Sequence, residues 1–146
     1  LFCFSCISPQ KENIEKPVKE IAKTIVKTEE APLPIGPYNQ GIVVGNTLYT
    51  AGQIAINPEN GELVIETIET EAKQVLDNLK AVIEAAGFEM NHVVKTNIYM
   101  TNLEDFSKVN EIYGSYFKEE APTRVTLEVA GIPKNAHLEI AMVAVK

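Results

Sequence analysis

At 146 residues the chain suits one domain, of a size that buries about 70% of the surface its unfolded form exposes. It is 45% hydrophobic and 23% charged, with a net charge of −7. That composition is ordinary for a globular domain, and the acidic balance disfavours nonspecific binding to nucleic acid, which needs clustered Lys and Arg. No apolar stretch approaches the ~20 residues that span a bilayer.

Residues 1–20 differ from the rest. Leu1 to Ile7 is apolar, Gln10 to Lys19 is charged, and Pro17 interrupts the charged part. The segment reads as a leader or disordered extension, with the domain occupying residues 21–146. Both cysteines, Cys3 and Cys6, lie here. One Cys-x-x-Cys pair falls short of the about four ligands zinc requires, and His92 and His137 are far away in sequence. No metal site is expected. The rest of the chain offers neither a disulfide nor a thiol nucleophile, which is compatible with a reducing compartment. The expected location is cytoplasmic, or organellar if residues 1–20 are a targeting remnant.

Lys23 to Thr28 is a predicted strand, followed by a proline-rich extended loop, Ala31 to Tyr38. Gly41–Val44 and Thr47–Ala51 predict a hairpin around Gly45-Asn46. Asn57 to Glu62 is dense in turn residues. Ile68, Ala72, Val75, Leu76, Leu79, Val82, Ile83 and Ala86 then fall at three- and four-residue spacing, one stripe of a helix ended by Gly87. Glu69 and Lys73 are spaced to pair on its surface. A strand from His92 to Met100 follows. Next comes a helix from Leu103 to Phe117, with Phe106, Val109, Ile112, Tyr113 and Tyr116 on its buried side. Two strands end the chain, Pro122–Val129 and His137–Val145, separated by the turn from Gly131 to Asn135. The order predicts an α+β layer with two helices on one face of a mixed sheet. Apolar residues on both faces of the last strand imply that something covers the other face, and oligomerisation is the simplest cover.

Two charges stand out. Arg124 is the single arginine, and it sits inside a β-like run. Its guanidinium is a rigid fork suited to gripping a carboxylate with two parallel hydrogen bonds. A plain ion pair or an edge-strand charge would also place a cation there. Glu139 lies between Leu138 and Ile140 in the last strand, on the face shared with Ala141, Val143 and Val145. A carboxylate on an apolar face is paired or has a raised pKa. Its roles are a buried pair or a group poised for proton transfer beside Arg124.

One ordered set of residues is specific. It runs Ile35-Gly36-Pro37-Tyr38-Asn39-Gln40-Gly41, Ala51-Gly52-Gln53-Ile54, Asn57-Pro58 with Gly61-Glu62, Pro122-Thr123-Arg124 with Glu128-Val129, and Leu138-Glu139-Ile140. Over about Lys23 to Lys146 the chain resembles the RidA/YjgF-type reactive-intermediate deaminases, a family also named for L-PSP endoribonuclease. The resemblance implies a chorismate-mutase-like α+β fold, a homotrimer and active sites between subunits. It implies hydrolysis of reactive 2-imino and 2-aminoacrylate intermediates, made by pyridoxal-phosphate dehydratases, to 2-keto acids and ammonia, with neither metal nor cofactor. Carried over to this sequence, Arg124 would hold the substrate carboxylate and Glu139 would activate water and move protons. Tyr38 would line the pocket, with Asn110, Gly52 and Thr126 binding substrate. Ala51 stands where serine is frequent in the family, and Thr126 where cysteine is frequent. The first departure bears on substrate range, and the second removes any thiol chemistry at that position.

Two other classes compete. A ribonuclease would want a basic surface and a His or Lys acid–base pair. A noncatalytic binder of small carboxylates would use Arg124 but would not want the Glu139 anion near its ligand.

Overall fold

The computed structural model describes residues 22–146, and the expectations for residues 1–20, Cys3 and Cys6 included, lie outside the described residues. Six strands form one sheet: β1 (Lys23–Val26), β2 (Gly41–Val44), β3 (Thr47–Thr50), β4 (Val93–Met100), β5 (Thr123–Glu128) and β6 (Leu138–Val145). Their spatial order is β1-β2-β3-β6-β4-β5. Only β4 and β5 run parallel, so the sheet is mixed as expected. Helices α1 (Ile68–Ala85) and α2 (Phe106–Tyr116) follow β3 and β4 in the chain. Gly45 at φ 61° supplies the left-handed residue for the tight β2–β3 turn.

The start of α1 is capped reciprocally. The Thr67 hydroxyl accepts from the Thr70 amide, and the Thr67 amide donates to the Thr70 hydroxyl, both at 3.1 Å. Its end is set by Gly87 at φ 75°, with the Phe88 amide donating to the Ile83 carbonyl at 3.0 Å. The stripe between these caps, Ala72, Val75, Leu76, Leu79, Val82 and Ile83, packs on Leu48, Ile98, Leu138, Ile140, Met142 and Ala144 of the sheet. Val109 and Tyr113 of α2 complete that layer.

Several boundaries differ from the sequence expectation for local reasons. β1 ends at Val26, not Thr28, because the Gln40 side chain takes both the Thr28 amide (2.8 Å) and the Thr28 carbonyl (2.9 Å). The second helix begins with a single 3₁₀ turn, Leu103–Asp105, where the Asn102 side chain accepts from the Glu104 amide. Phe106 is exposed, and only Val109 and Tyr113 of α2 are buried. Lys73 pairs with Asp77 and not with Glu69. Both candidate partners are four residues away on the same helix.

The second sheet face stands open. Ile25, Tyr49, Val125 and Leu127 share it, and Tyr49 and Leu127 are 52% and 50% exposed. No helix among the described residues is long and apolar enough to cross a membrane.

Gln40 is 1% exposed, and its amide also donates to the Ala31 and Pro32 carbonyls. Gln40→Ala strands three carbonyls and an amide, so a loss on the order of 2–4 kcal/mol is expected. Urea denaturation checks this; an unchanged midpoint would show that water replaces the side chain.

Candidate active site

A cleft of about 300 Å³ opens where the proline-rich loop, the segment after β3 and the start of β6 meet. Its walls are mostly apolar, including Leu33, Ile35, Ile54, Ile56 and Pro133, and Tyr38, Gly52 and Glu139 share it. Gln53 and Ile140 exchange backbone hydrogen bonds at 2.9 and 3.1 Å, which stitches the segment after β3 onto β6. That stitch brings Gly52 against Glu139. A Cβ at position 52 would overlap the Glu139 carboxylate, so glycine is what permits the approach. Tyr38 folds back on its own loop, its hydroxyl accepting from the Ile35 amide at 3.3 Å. Lys134 and Asn135, next to Pro133, have φ of 60° and 58°. Two successive non-glycine residues in the left-handed region are uncommon.

Glu139 is half-buried in this cleft, and burial pushes its carboxyl above the ordinary value. The Glu139 carboxyl is therefore ready to hold a proton over a wider pH range than a surface glutamate.

A second cluster surrounds Arg124 on β5. Its Nη1 donates to Asn110 Oδ1 at 2.8 Å. The guanidinium lies over the Tyr113 and Phe106 rings, 5.0 and 5.4 Å from their centroids. The Tyr113 hydroxyl donates to buried Thr96 at 3.0 Å, which fixes that ring. Burial pushes the Tyr113 hydroxyl pKa up. Thr126, two residues along the same face, holds the one buried side-chain oxygen without a hydrogen-bond partner among the described residues. The cluster thus presents a braced guanidinium bonded to an amide, with the buried Thr126 hydroxyl two residues along the same face of β5.

Within one chain the two groups do not meet, so Glu139 is not beside Arg124. Arg124 aligns with Thr96, which aligns with Met142 under the helices. Glu139 aligns with Tyr99, which aligns with Leu127 on the open face. The two-residue alternation puts the charges on opposite faces of the sheet. The expected residues therefore sort into two halves, Tyr38–Gly52–Glu139 and Arg124–Asn110–Thr126.

Sequence reasoning missed what supports each half. Glu71 and Asn78 interrupt the α1 stripe, and both are buried. Their signal was polarity at a seven-residue spacing on an apolar face. Tyr113 is buried as the helix spacing predicts and Phe106 is exposed, and both rings also carry the Arg124 guanidinium, a role that spacing does not signal. Among the described residues, no three or more His, Cys, Asp or Glu side chains are grouped to hold a metal ion.

Comparison with known proteins gives this geometry a family. Residues 28–146 match the family described as Endoribonuclease L-PSP. A RutC family protein of Pyrococcus horikoshii is 48% identical over 124 residues, which are 85% of this chain and 98% of that protein. A 2-iminobutanoate/2-iminopropanoate deaminase of Dermatophagoides farinae is 46% identical over 123 residues, 84% of this chain and 96% of that one. The crystal structure of E. coli TdcF with bound serine superposes with a TM-score of 0.82 at 37% identity, covering 84% of this chain and 98% of that one. The chain belongs to the endoribonuclease L-PSP family, which includes the RutC, RidA and YjgF proteins.

Proposed function

We propose that the chain hydrolyses reactive 2-imino acids and their enamine forms to 2-keto acids and ammonia. Its active site lies between copies in a homotrimer, where the Arg124 cluster of one copy faces the Glu139 cleft of the next. The observation that carries this reading is the separation itself. The Arg124 guanidinium and the half-buried Glu139 carboxyl stand on opposite faces of one sheet, and the open face carries exposed Ile25, Tyr49, Val125 and Leu127. The deaminase name of a relative at 46% identity and the serine bound to a neighbour at 37% identity support a small carboxylate substrate. An endoribonuclease would need clustered cations for phosphates, and this chain has one arginine and a net charge of −7.

The chemistry is one hydrolysis. Arg124 holds the substrate carboxylate, with Asn110 and the Thr126 hydroxyl beside it. Water adds to the imine carbon while Glu139 takes one of its protons and passes it to the nitrogen, giving a carbinolamine. Glu139 then moves the carbinolamine hydroxyl proton to the amine, so that the C–N bond breaks, ammonia leaves and the carbonyl forms. A single acid–base group of this kind contributes about 10²–10⁴ in rate. The apolar cleft receives the substrate side chain.

Arg124→Lys keeps the charge and loses the fork, so kcat/KM is expected to fall by about one to two decades. Glu139→Gln is expected to lower kcat while still binding 2-ketobutanoate. A dehydratase-coupled assay and calorimetry separate the two effects. Wild-type turnover in Glu139→Gln would make that residue structural. The pH dependence has a definite sign. A raised pKa means the base form is lost, as pH falls, above the ordinary value of 4.5. The acid limb of kcat in the wild type should therefore lie above pH 4.5 and be absent from Glu139→Gln.

Shared sites predict complementation. Co-refolding Arg124→Ala with Glu139→Gln in equal amounts should restore about one quarter of wild-type activity, since half the chains offer each intact group. No recovery in a mixed assembly would place both groups of each site on one chain.

Gly52→Ala should fold, because Glu139 is free to swing away from the new methyl. Its kcat should fall with little change in thermal midpoint. Unchanged kcat would mean that the close approach of Gly52 is incidental to turnover.

A further inference from the structure

A buried polar side chain costs free energy unless it is hydrogen-bonded. Helix α1 carries two, Glu71 and Asn78, at 0% and 1% exposure. Seven residues apart, they sit two turns along one face. The helix does not need them to form, since Thr67 and Thr70 cap its start and Gly87 ends it. Instead their bonds run to backbone that carries the cleft. Glu71 Oε1 accepts from the His137 amide at 2.7 Å and the Leu138 amide at 3.0 Å, and Oε2 lies 2.9 Å from His137 Nδ1. Glu139 is the next residue. Asn78 Nδ2 donates to the Ile54 carbonyl at 3.1 Å and the Ile56 carbonyl at 2.9 Å, and its Oδ1 accepts from Gln74 at 2.9 Å. Gly52 starts that segment. Between the two anchors lies the Gln53–Ile140 stitch. An apolar side chain at either position would fill the core equally well but would leave buried amides or carbonyls unpaired.

We infer that Glu71 and Asn78 are positioning residues, which fix the backbone on either side of the Gly52–Glu139 contact and so hold the Glu139 carboxyl where a substrate can meet it. The inference rests on Glu139 being the acid–base group proposed above. Glu71 acts on the strand side, through two successive amides before Glu139. Asn78 acts on the opposing wall, through two carbonyls after Gly52. Each anchor leaves the Arg124 cluster untouched, because that cluster is held by α2 and Thr96.

The test compares full-length Glu71→Ala and Glu71→Gln with wild type. Glutamine keeps an oxygen for both amides, whereas alanine keeps none. Glu71→Ala is expected to lower kcat about 10- to 100-fold, the cost of a small misplacement, with 2-ketobutanoate affinity unchanged. Glu71→Gln is expected to retain wild-type kcat. Titration of Glu139 followed by carboxyl-carbon NMR gives a readout apart from turnover. It should stay at the wild-type position in Glu71→Gln and move toward 4.5 in Glu71→Ala as water enters the loosened wall. Equal shifts in both variants would assign the effect to the Glu71 charge and overturn the inference, as would wild-type kcat in Glu71→Ala. If Glu71→Ala does not fold, Glu71→Asp retracts the carboxylate by one carbon at constant charge. It should then behave as expected of the alanine variant, and wild-type kcat and titration in Glu71→Asp would overturn the inference. A wild-type protein that hydrolyses no imine would refute the deaminase reading, while the Glu139 titrations would still decide the positioning role.

Discussion

Leu138, Ile140, Met142 and Ala144 are pressed beneath α1 at 2% exposure or less, so the residues between them have no choice of face. That alternation places Glu139 on the open side of the sheet, at the mouth of an apolar cleft, and Arg124 on the helix side of β5. Slipping β6 by one residue would turn four aliphatic side chains out and a carboxylate in. The burial of that apolar face, at roughly 25 cal/mol per Å², fixes the register against any such slip. The division of the candidate site into two halves is a direct consequence.

Each half is then refined by buried polar groups. Gln40 gathers the loop that carries Leu33, Ile35 and Tyr38. Asn78 holds the segment after Gly52, and Glu71 holds the start of β6. Thr96 fixes the Tyr113 ring beneath Arg124. An apolar core sets register but resists sliding of loops poorly, because its contacts are nonspecific in direction. Hydrogen bonds in a low-dielectric interior supply that direction. The buried side chains of Gln40, Glu71 and Asn78 all hold backbone that borders the candidate site.

The electrostatics of the halves are opposed in kind. Arg124 is braced by aromatic faces and an amide, which leaves its charge available for an anion. Glu139 sits among aliphatic groups, where burial favours its protonated form. Bringing such surfaces together would pair a fixed cation with an adjustable acid. That combination suits a carboxylate substrate undergoing proton transfer better than it suits either group alone.

The sequence by itself determined the element order, the two helices, the tight turns and the family. Those follow from local rules: three- and four-residue spacing along α1, glycines at Gly45 and Gly87 where φ is positive, and a motif set in fixed order. It also singled out Arg124 and Glu139, because a lone guanidinium and a carboxylate on an apolar strand are locally anomalous. Only the tertiary structure decided which residues stand together. The strand order set β4 between β6 and β5, and parity then sent the two charges to opposite faces. Glu71 and Asn78 stand out in sequence only as polar residues on an apolar stripe, and what they and Gln40 anchor is not legible there, because their partners lie 66, 24 and 12 residues away. Local spacing cannot report a backbone group that arrives from so far along the chain, and it is long-range packing that fixes where such a group ends.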